Sequence, residues 1–193
     1  MTAATRERLI SAGLQLFTRY GIGQVGLDRI LRQAELTKTT FYNHFSGKEE
    51  LIREVISRHE SELRDRLLSG VTRRAGDDPR GRLLAVFDVL AELHAEDGPA
   101  ASLLVNAIIE FPSSNDPTRL AAIRGKQSLT EMLLDMAASL GVAAPERLTR
   151  DLVLLIDGAL LNQQITGDPD TLRAGRRLAA MTIDAAASAS AGH

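Results

Sequence analysis

The chain contains no cysteine and no tryptophan, and aromatic residues fill only 4% of its 193 positions. Without a thiol it has no disulfide framework, no thiolate metal site and no cysteine nucleophile. Its four histidines, His44, His59, His94 and His193, show no metal-ligand spacing, and neither a G-x-S-x-G elbow nor a phosphate-binding glycine loop is present. No enzyme, metal site or cofactor is expected from these absences. No apolar run approaches the roughly 18 to 20 residues needed to cross a bilayer, and the amino terminus MTAATRERLI lacks an apolar segment of signal-peptide length. A soluble cytoplasmic protein is expected.

What is present is Ala and Leu, with few β-branched and aromatic residues, a balance that favours helix over strand and predicts an all-α protein. The length suits one large domain, or a small one joined to a larger. Net charge is only −2, but it is unevenly spread: residues 1–48 carry seven bases and three acids, a net of +4, and residues 49–193 carry the opposing −6. A basic head on an acidic body suits a small module that faces phosphates.

Apolar spacing predicts a first helix from Arg6 to Tyr20, with Leu9, Ile10, Gly13, Leu16, Phe17 and Tyr20 on one face and Gly21 as its stop. A second, LDRILRQA, turns Leu27, Ile30, Leu31 and Ala34 to one side behind Gly26, and a third, KTTFYNHF, opens after Thr37 as N-cap. Ser46-Gly47-Lys48-Glu49 has the S-x-x-E form of a capping box and precedes a fourth helix from Lys48 to about Ser69. Beyond it, Asp78-Pro79, Asp116-Pro117 and Asp168-Pro169 set an N-capping acid before a first-turn proline, and Gly98-Pro99 and Ala144-Pro145 mark two further starts. Gly76, Gly98, Gly141 and Gly167 are the matching stops. The expected helices lie near 79–96, 99–110, 117–140, 145–166 and 169–187, about nine in all, followed by the tail AAASASAGH, expected to fray.

The second and third helices form a helix-turn-helix, whose second member enters the major groove. Phe41 and Phe45, four residues apart, suit packing against the first two helices. Lys38, Thr39, Thr40, Tyr42, Asn43 and His44 offer cationic, hydroxyl, phenolic, amide and imidazole groups that match base edges and phosphates. Such a helix also fits a solvated face over a small core, so the residues alone leave a helical protein-interaction adaptor open beside a DNA-binding regulator.

The segment from Arg8 to Leu51, with LISAGLQLF, LDRILRQAELTKTTFYNHF and SGKEEL, resembles the DNA-binding domain of the TetR family of regulators. The resemblance implies a helix-turn-helix DNA-binding domain at 1–47 and an effector-binding and dimerisation domain at 48–193. It further implies contact of Tyr42, His44 and Lys48 with DNA or its backbone, and repression released by a small-molecule effector. Lys38, Thr39 and Tyr42 are then assigned to bases, and Thr37, Thr40, Asn43, His44 and Lys48 mainly to phosphates. Tyr42 keeps core packing as its alternative, His44 the capping of a helix end, and Lys48 an ordinary exposed position. Two residues depart from the family pattern. Gly26 replaces a Ser or Thr that often caps the second helix and meets a phosphate, and Glu35 replaces the glycine of the turn, which must hold a left-handed residue or open, at roughly 1 kcal/mol.

In the body, LVLLIDGALL sets Leu152, Leu155, Ile156 and Ala159 on one face and Val153, Leu154, Leu160 and Leu161 on the others, so the helix is apolar nearly all round. Such a helix needs cover on two sides, from its own domain and from a second subunit, or else lies wholly in one core. The resemblance implies a homodimer through the last two helices, with Gly175, Ala179 and Ala180 allowing close approach and half-sites about 34 Å apart. It also implies an effector pocket among the middle helices, for which Phe87, His94, Leu103, Asn106, Phe111, Met132 and Met136 are the candidates. Asn106, in the apolar run LLVNAIIEF, must find backbone partners or face a cavity, and the two methionines serve equally as core filler.

Overall fold

The computed structural model describes residues 3–97 and 103–191. Among them are nine α-helices and no strand: α1 Ala3–Tyr20, α2 Leu27–Ala34, α3 Lys38–Tyr42, α4 Lys48–Ala75, α5 Pro79–Asp97, α6 Leu103–Glu110, α7 Pro117–Ala138, α8 Pro145–Thr166 and α9 Thr171–Ala191. None of the described helices is long and apolar enough to cross a membrane. The start expected at Gly98-Pro99 lies outside the described residues, as does His193.

The helix boundaries follow from where the end groups of each helix find partners. Asp116 accepts from the backbone N–H groups of Thr118 at 2.7 Å and Arg119 at 3.2 Å, and Asp78 from those of Arg80 at 3.2 Å and Gly81 at 2.9 Å, so both acids cap as expected. Gly76, Gly141 and Gly167 end their helices with φ of 54°, 72° and 70°, a left-handed conformation that costs glycine nothing.

Several features differ from expectation. Asp168 caps a turn, its Oδ1 accepting from the Asp170 N–H at 2.9 Å, and α9 begins at Thr171, two residues later than Pro169. The small-residue tail stays helical through Ala191, in line with the helix propensity of alanine. The third helix stops at Tyr42, where Asn43 caps it, so Asn43, His44 and Phe45 lie beyond its regular turn. The box at the head of α4 is shifted by one: Glu50, not Glu49, accepts from the Ser46 N–H and hydroxyl, both at 2.7 Å, because the helix starts at Lys48 and Glu50 is its third residue. Those two bonds hold the Glu50 carboxyl below the usual carboxylate range. Finally, α4 runs through Gly70 to Ala75; glycine is required there because a Cβ would lie 2.7 and 3.0 Å from the two methyls of Val89 on α5.

By packing, the described residues within Met1–Glu62 and Ser102–Lys126 make one compact unit, and those within Leu63–Ala101 and Gln127–His193 another. α6 and the start of α7 therefore pack with the helix-turn-helix. The division expected at residues 47 and 48, which separates functions, falls at the head of the continuous helix α4.

In the first unit, α1 packs on α2, and Leu9, Phe17, Ile30, Phe41, Phe45, Leu51 and Val55 are buried. Arg6 pairs with Glu54 at 2.9 Å and Arg58 with Glu7 at 2.5 Å, tying α1 to α4. Tyr20 departs from the expected apolar face: it is exposed at the end of α1, with Arg29 3.7 Å and Arg19 5.3 Å from its ring centre. In the second unit, α9 lies against α8 and α5. Arg80 grips Asp184 through two bonds of 2.7 and 2.9 Å, and Arg176 meets Asp88 at 3.0 Å. Gly175 and Ala179 face inward, contrary to their expected place at a subunit boundary. A Cβ on Gly175 would stand 3.2 Å from Ala159 and from the Phe87 ring, and Ala179 is fully buried, so their small size lets α9 approach α8 and α5 of the same protomer. Ala180 packs against that same core.

Candidate nucleic-acid interface

The turn before α3 takes the left-handed option. Glu35 has φ 53° and ψ 46°, its N–H donates to the Arg32 carbonyl at 3.2 Å, and the Leu36 N–H donates to the Leu31 carbonyl at 2.9 Å. These two bonds make a Schellman ending, usually built on glycine. Arg8 of α1 steadies it, donating to the Ala34 carbonyl at 2.6 Å and reaching the Glu35 carboxylate at 3.4 Å. Glu35→Gly is therefore expected to stabilise the protein by about 0.5 to 1 kcal/mol, since it removes the left-handed penalty and loses only an exposed ion pair. A thermal melt reads this as a rise of a few degrees; a fall would mean that the Arg8 pairing outweighs the backbone relief.

At the head of α2, Gly26 is extended, with φ −76° and ψ 155°, and has no side-chain cap; nothing lies within 4 Å of where its Cβ would stand. The position has room and backbone geometry for a serine, so the missing hydroxyl is a feature of this sequence and not a steric demand.

α3 is a short helix held from below. Phe41 and Phe45 are buried, their rings stacked 5.5 Å apart, with the Arg6 guanidinium 5.1 Å from the Phe45 ring. Thr37 caps it, its hydroxyl accepting from the Thr40 N–H at 3.2 Å and lying 2.9 Å from the Thr40 hydroxyl. Both threonines are thus engaged in fixing the helix start, besides any phosphate role. Lys38, Thr39, Tyr42 and Asn43 are exposed, while Thr40, His44 and Lys48 are half-buried. Tyr42 is 58% exposed and touches Phe41 edge-on, with ring centres 5.2 Å apart, which removes core packing as its explanation.

Two partners of these residues carried no signal in the sequence. Asp28, at the start of α2, sits 3.1 Å from the Lys38 ammonium and so places a carboxylate beside a base-reading candidate. The Lys48 ammonium donates to the Ile22 carbonyl at 3.2 Å, in the connector between α1 and α2. That bond uses one of its three donors and leaves the others for a phosphate.

The effector candidates are divided between the two units. Phe87, Met132 and Met136 are buried in the core of the second unit, the methionines as packing among leucines. His94 is half-buried there, its imidazole pushed down by burial and its Nδ1 without a hydrogen-bond partner among the described residues. Leu103 is buried in the first unit, where Asn106 and Phe111 are half-buried. A surface cleft of about 510 Å³ lies in the second unit between the start of α8 and the end of α9, and none of the candidates lines it.

α8 has the two apolar sides foreseen for it. Leu148, Leu152, Ile156, Ala159 and Leu160 are buried in the protomer, whereas Leu154, Leu161 and Ile165, on one stripe of the opposite side, are 66%, 52% and 72% exposed. Leu178 and Met181 of α9 are exposed as well.

Comparison with known proteins bears on this arrangement. The family model described as "Bacterial regulatory proteins, tetR family" matches residues 9–55, the span from α1 to the first turns of α4. The HTH-type transcriptional regulator BetI of Burkholderia cenocepacia (strain HI2424) is 29% identical over 191 residues, covering 95% of this chain and 94% of that protein. The regulatory protein TetR of Rhodobacter sphaeroides shares the fold with a TM-score of 0.81 at 24% identity, over 93% of this chain and 99% of that one. A TetR-family transcriptional regulator from Streptomyces coelicolor does so with a TM-score of 0.79 at 24% identity, over 98% and 97%. The matched segment holds the helix-turn-helix with its buried phenylalanines and exposed polar face, and over its full length the chain is similar to an HTH-type transcriptional regulator.

Proposed function

We propose that this chain is a homodimeric, sequence-specific DNA-binding transcriptional regulator of the cytoplasm, a repressor that a small-molecule effector releases from its operator. It acts by binding, without a catalytic step. The observation that carries the reading is α3: a five-residue helix anchored by buried Phe41 and Phe45, with Lys38, Thr39 and Tyr42 exposed on its outer side. These supply donors, an acceptor and a methyl group suited to base edges. Lys48, Asn43 and His44, with the capping threonines, are the proposed phosphate contacts, which set register more than sequence choice.

The exposed apolar stripes of α8 and α9 support a dimer through these helices, since an apolar patch of this kind on a regulator with a two-fold operator is best covered by its own copy. Release by an effector rests on the family likeness.

The decisive experiment mixes the purified full chain with promoter DNA from its own gene. A selective complex is expected, weakening on the order of a thousandfold or more between about 50 and 200 mM salt as counterions are released. The absence of any selective complex at low salt would overturn the regulator reading and leave the interaction adaptor.

A further inference from the structure

The connector between α1 and α2 is held from two sides by residues remote in sequence. Glu110, the last residue of α6, accepts from the Ile22 N–H at 3.2 Å and from the Gly23 N–H at 2.5 Å. Lys48 donates to the Ile22 carbonyl at 3.2 Å. The Ile22 carbonyl and the Gly23 N–H belong to one peptide group, so a carboxylate binds its donor end and an ammonium its acceptor end. Each bond is charge-assisted, and each polarises the peptide in the direction that strengthens the other. The surroundings keep the three groups in line. The Ile22 side chain is fully buried, and Gly21, with φ 80°, and Gly23 leave the carboxylate room: a Cβ at either would lie 3.3 or 3.1 Å from its oxygens. Arg119 of α7 donates to the carbonyls of Ile108 and Phe111, which fixes the turn of α6 from which Glu110 projects.

We propose that Glu110 is a positioning residue for DNA binding, acting on Lys48 through the peptide between Ile22 and Gly23; this rests on the reading of Lys48 as a phosphate contact. With its peptide end polarised and held in place, the Lys48 ammonium is oriented before DNA arrives, and its remaining donors are presented without a search through rotamers. Neither composition nor spacing marks Glu110 for this role, because it stands 88 residues from the connector it binds.

The test is binding of the full-length protein, at fixed salt, to the promoter duplex that the wild type selects. Glu110→Ala is expected to lower selective affinity about tenfold, and Glu110→Gln, which keeps one acceptor oxygen but no charge, to lower it less. In a Lys48→Ala background, Glu110→Ala should cost less than twofold, because the group it serves is already gone. Binding by Glu110→Ala within twofold of wild type overturns the proposal. So does an equal tenfold loss with and without Lys48, which would show that Glu110 supports the connector and not the lysine. If Glu110→Ala fails to fold by thermal melt, the same comparison is made with Glu110→Gln. A wild type that selects no DNA at all refutes the regulator reading itself, and is told apart from failure of the Glu110 proposal by coming before any variant is measured.

Discussion

Tyr42→Ala is expected to abolish selective DNA binding while leaving the protein folded and dimeric. The side chain is 58% exposed, and its main described contact is the edge of Phe41, so truncation should cost about 1 kcal/mol of stability or less. At the DNA, loss of a base contact is worth about 1 to 3 kcal/mol. A two-fold dimer makes that contact twice, so the discrimination lost is on the order of a hundredfold or more. Because tyrosine carries no charge, non-specific binding and its salt dependence should barely change. Competition of the promoter duplex against random duplex measures the first effect, and sedimentation measures the dimer. A variant that still selects the promoter would remove Tyr42 from the reading surface, and one that falls apart into monomers would make it structural.

Substitution of Leu161 by Glu attacks the other half of the proposal. Leu161 lies on the exposed stripe of α8 with Leu154 and Ile165, so in an isolated protomer a glutamate there would remain in water and the fold should survive. In the proposed dimer the same position is buried, and two-fold symmetry places the new charge on both sides. An unpaired buried charge costs several kcal/mol, and the dimer dissociation constant should rise at least a hundredfold. Sedimentation velocity should then show monomers at concentrations where the wild type is dimeric. Selective DNA binding should fall with it, because two half-sites no longer bind as one linked unit. A dimer that persists would mean that the subunits meet through other surfaces.

Both experiments depend on residues that the sequence had already singled out, and the reason is local physics. The spacing of Leu9, Ile10, Leu16 and Phe17, the alternation of Phe41 and Phe45 with polar residues, and the Asp-Pro and glycine signals act within a turn or two of helix. They were legible without knowing any tertiary contact, and so was the two-sided apolar character of α8. The misplaced boundaries have local causes of another kind. The fourth helix, expected to end near Ser69, continues through Gly70, which is a close approach to Val89, while Glu49 looked like the capping acid and lost that place to Glu50 by one residue of helix phase. Gly175 and Ala179 were correctly seen as permitting close packing, but small residues do not say what packs against them, and it is α5 and α8 of the same chain.

The sequence by itself determined an all-helical chain, about nine helix-sized segments, a helix-turn-helix between Leu27 and Phe45, and a recognition helix with a polar outer side. These depend on periodicity and on capping chemistry, which neighbouring residues set among themselves. Only the tertiary structure decided that α6 packs with the helix-turn-helix, that Tyr42 faces solvent, that Asp28 sits beside Lys38, and that Glu110 and Lys48 hold opposite ends of one peptide group. Such pairings are fixed by which helix faces meet in space, and a side chain's fitness to make a hydrogen bond carries no mark of the distant backbone group that receives it.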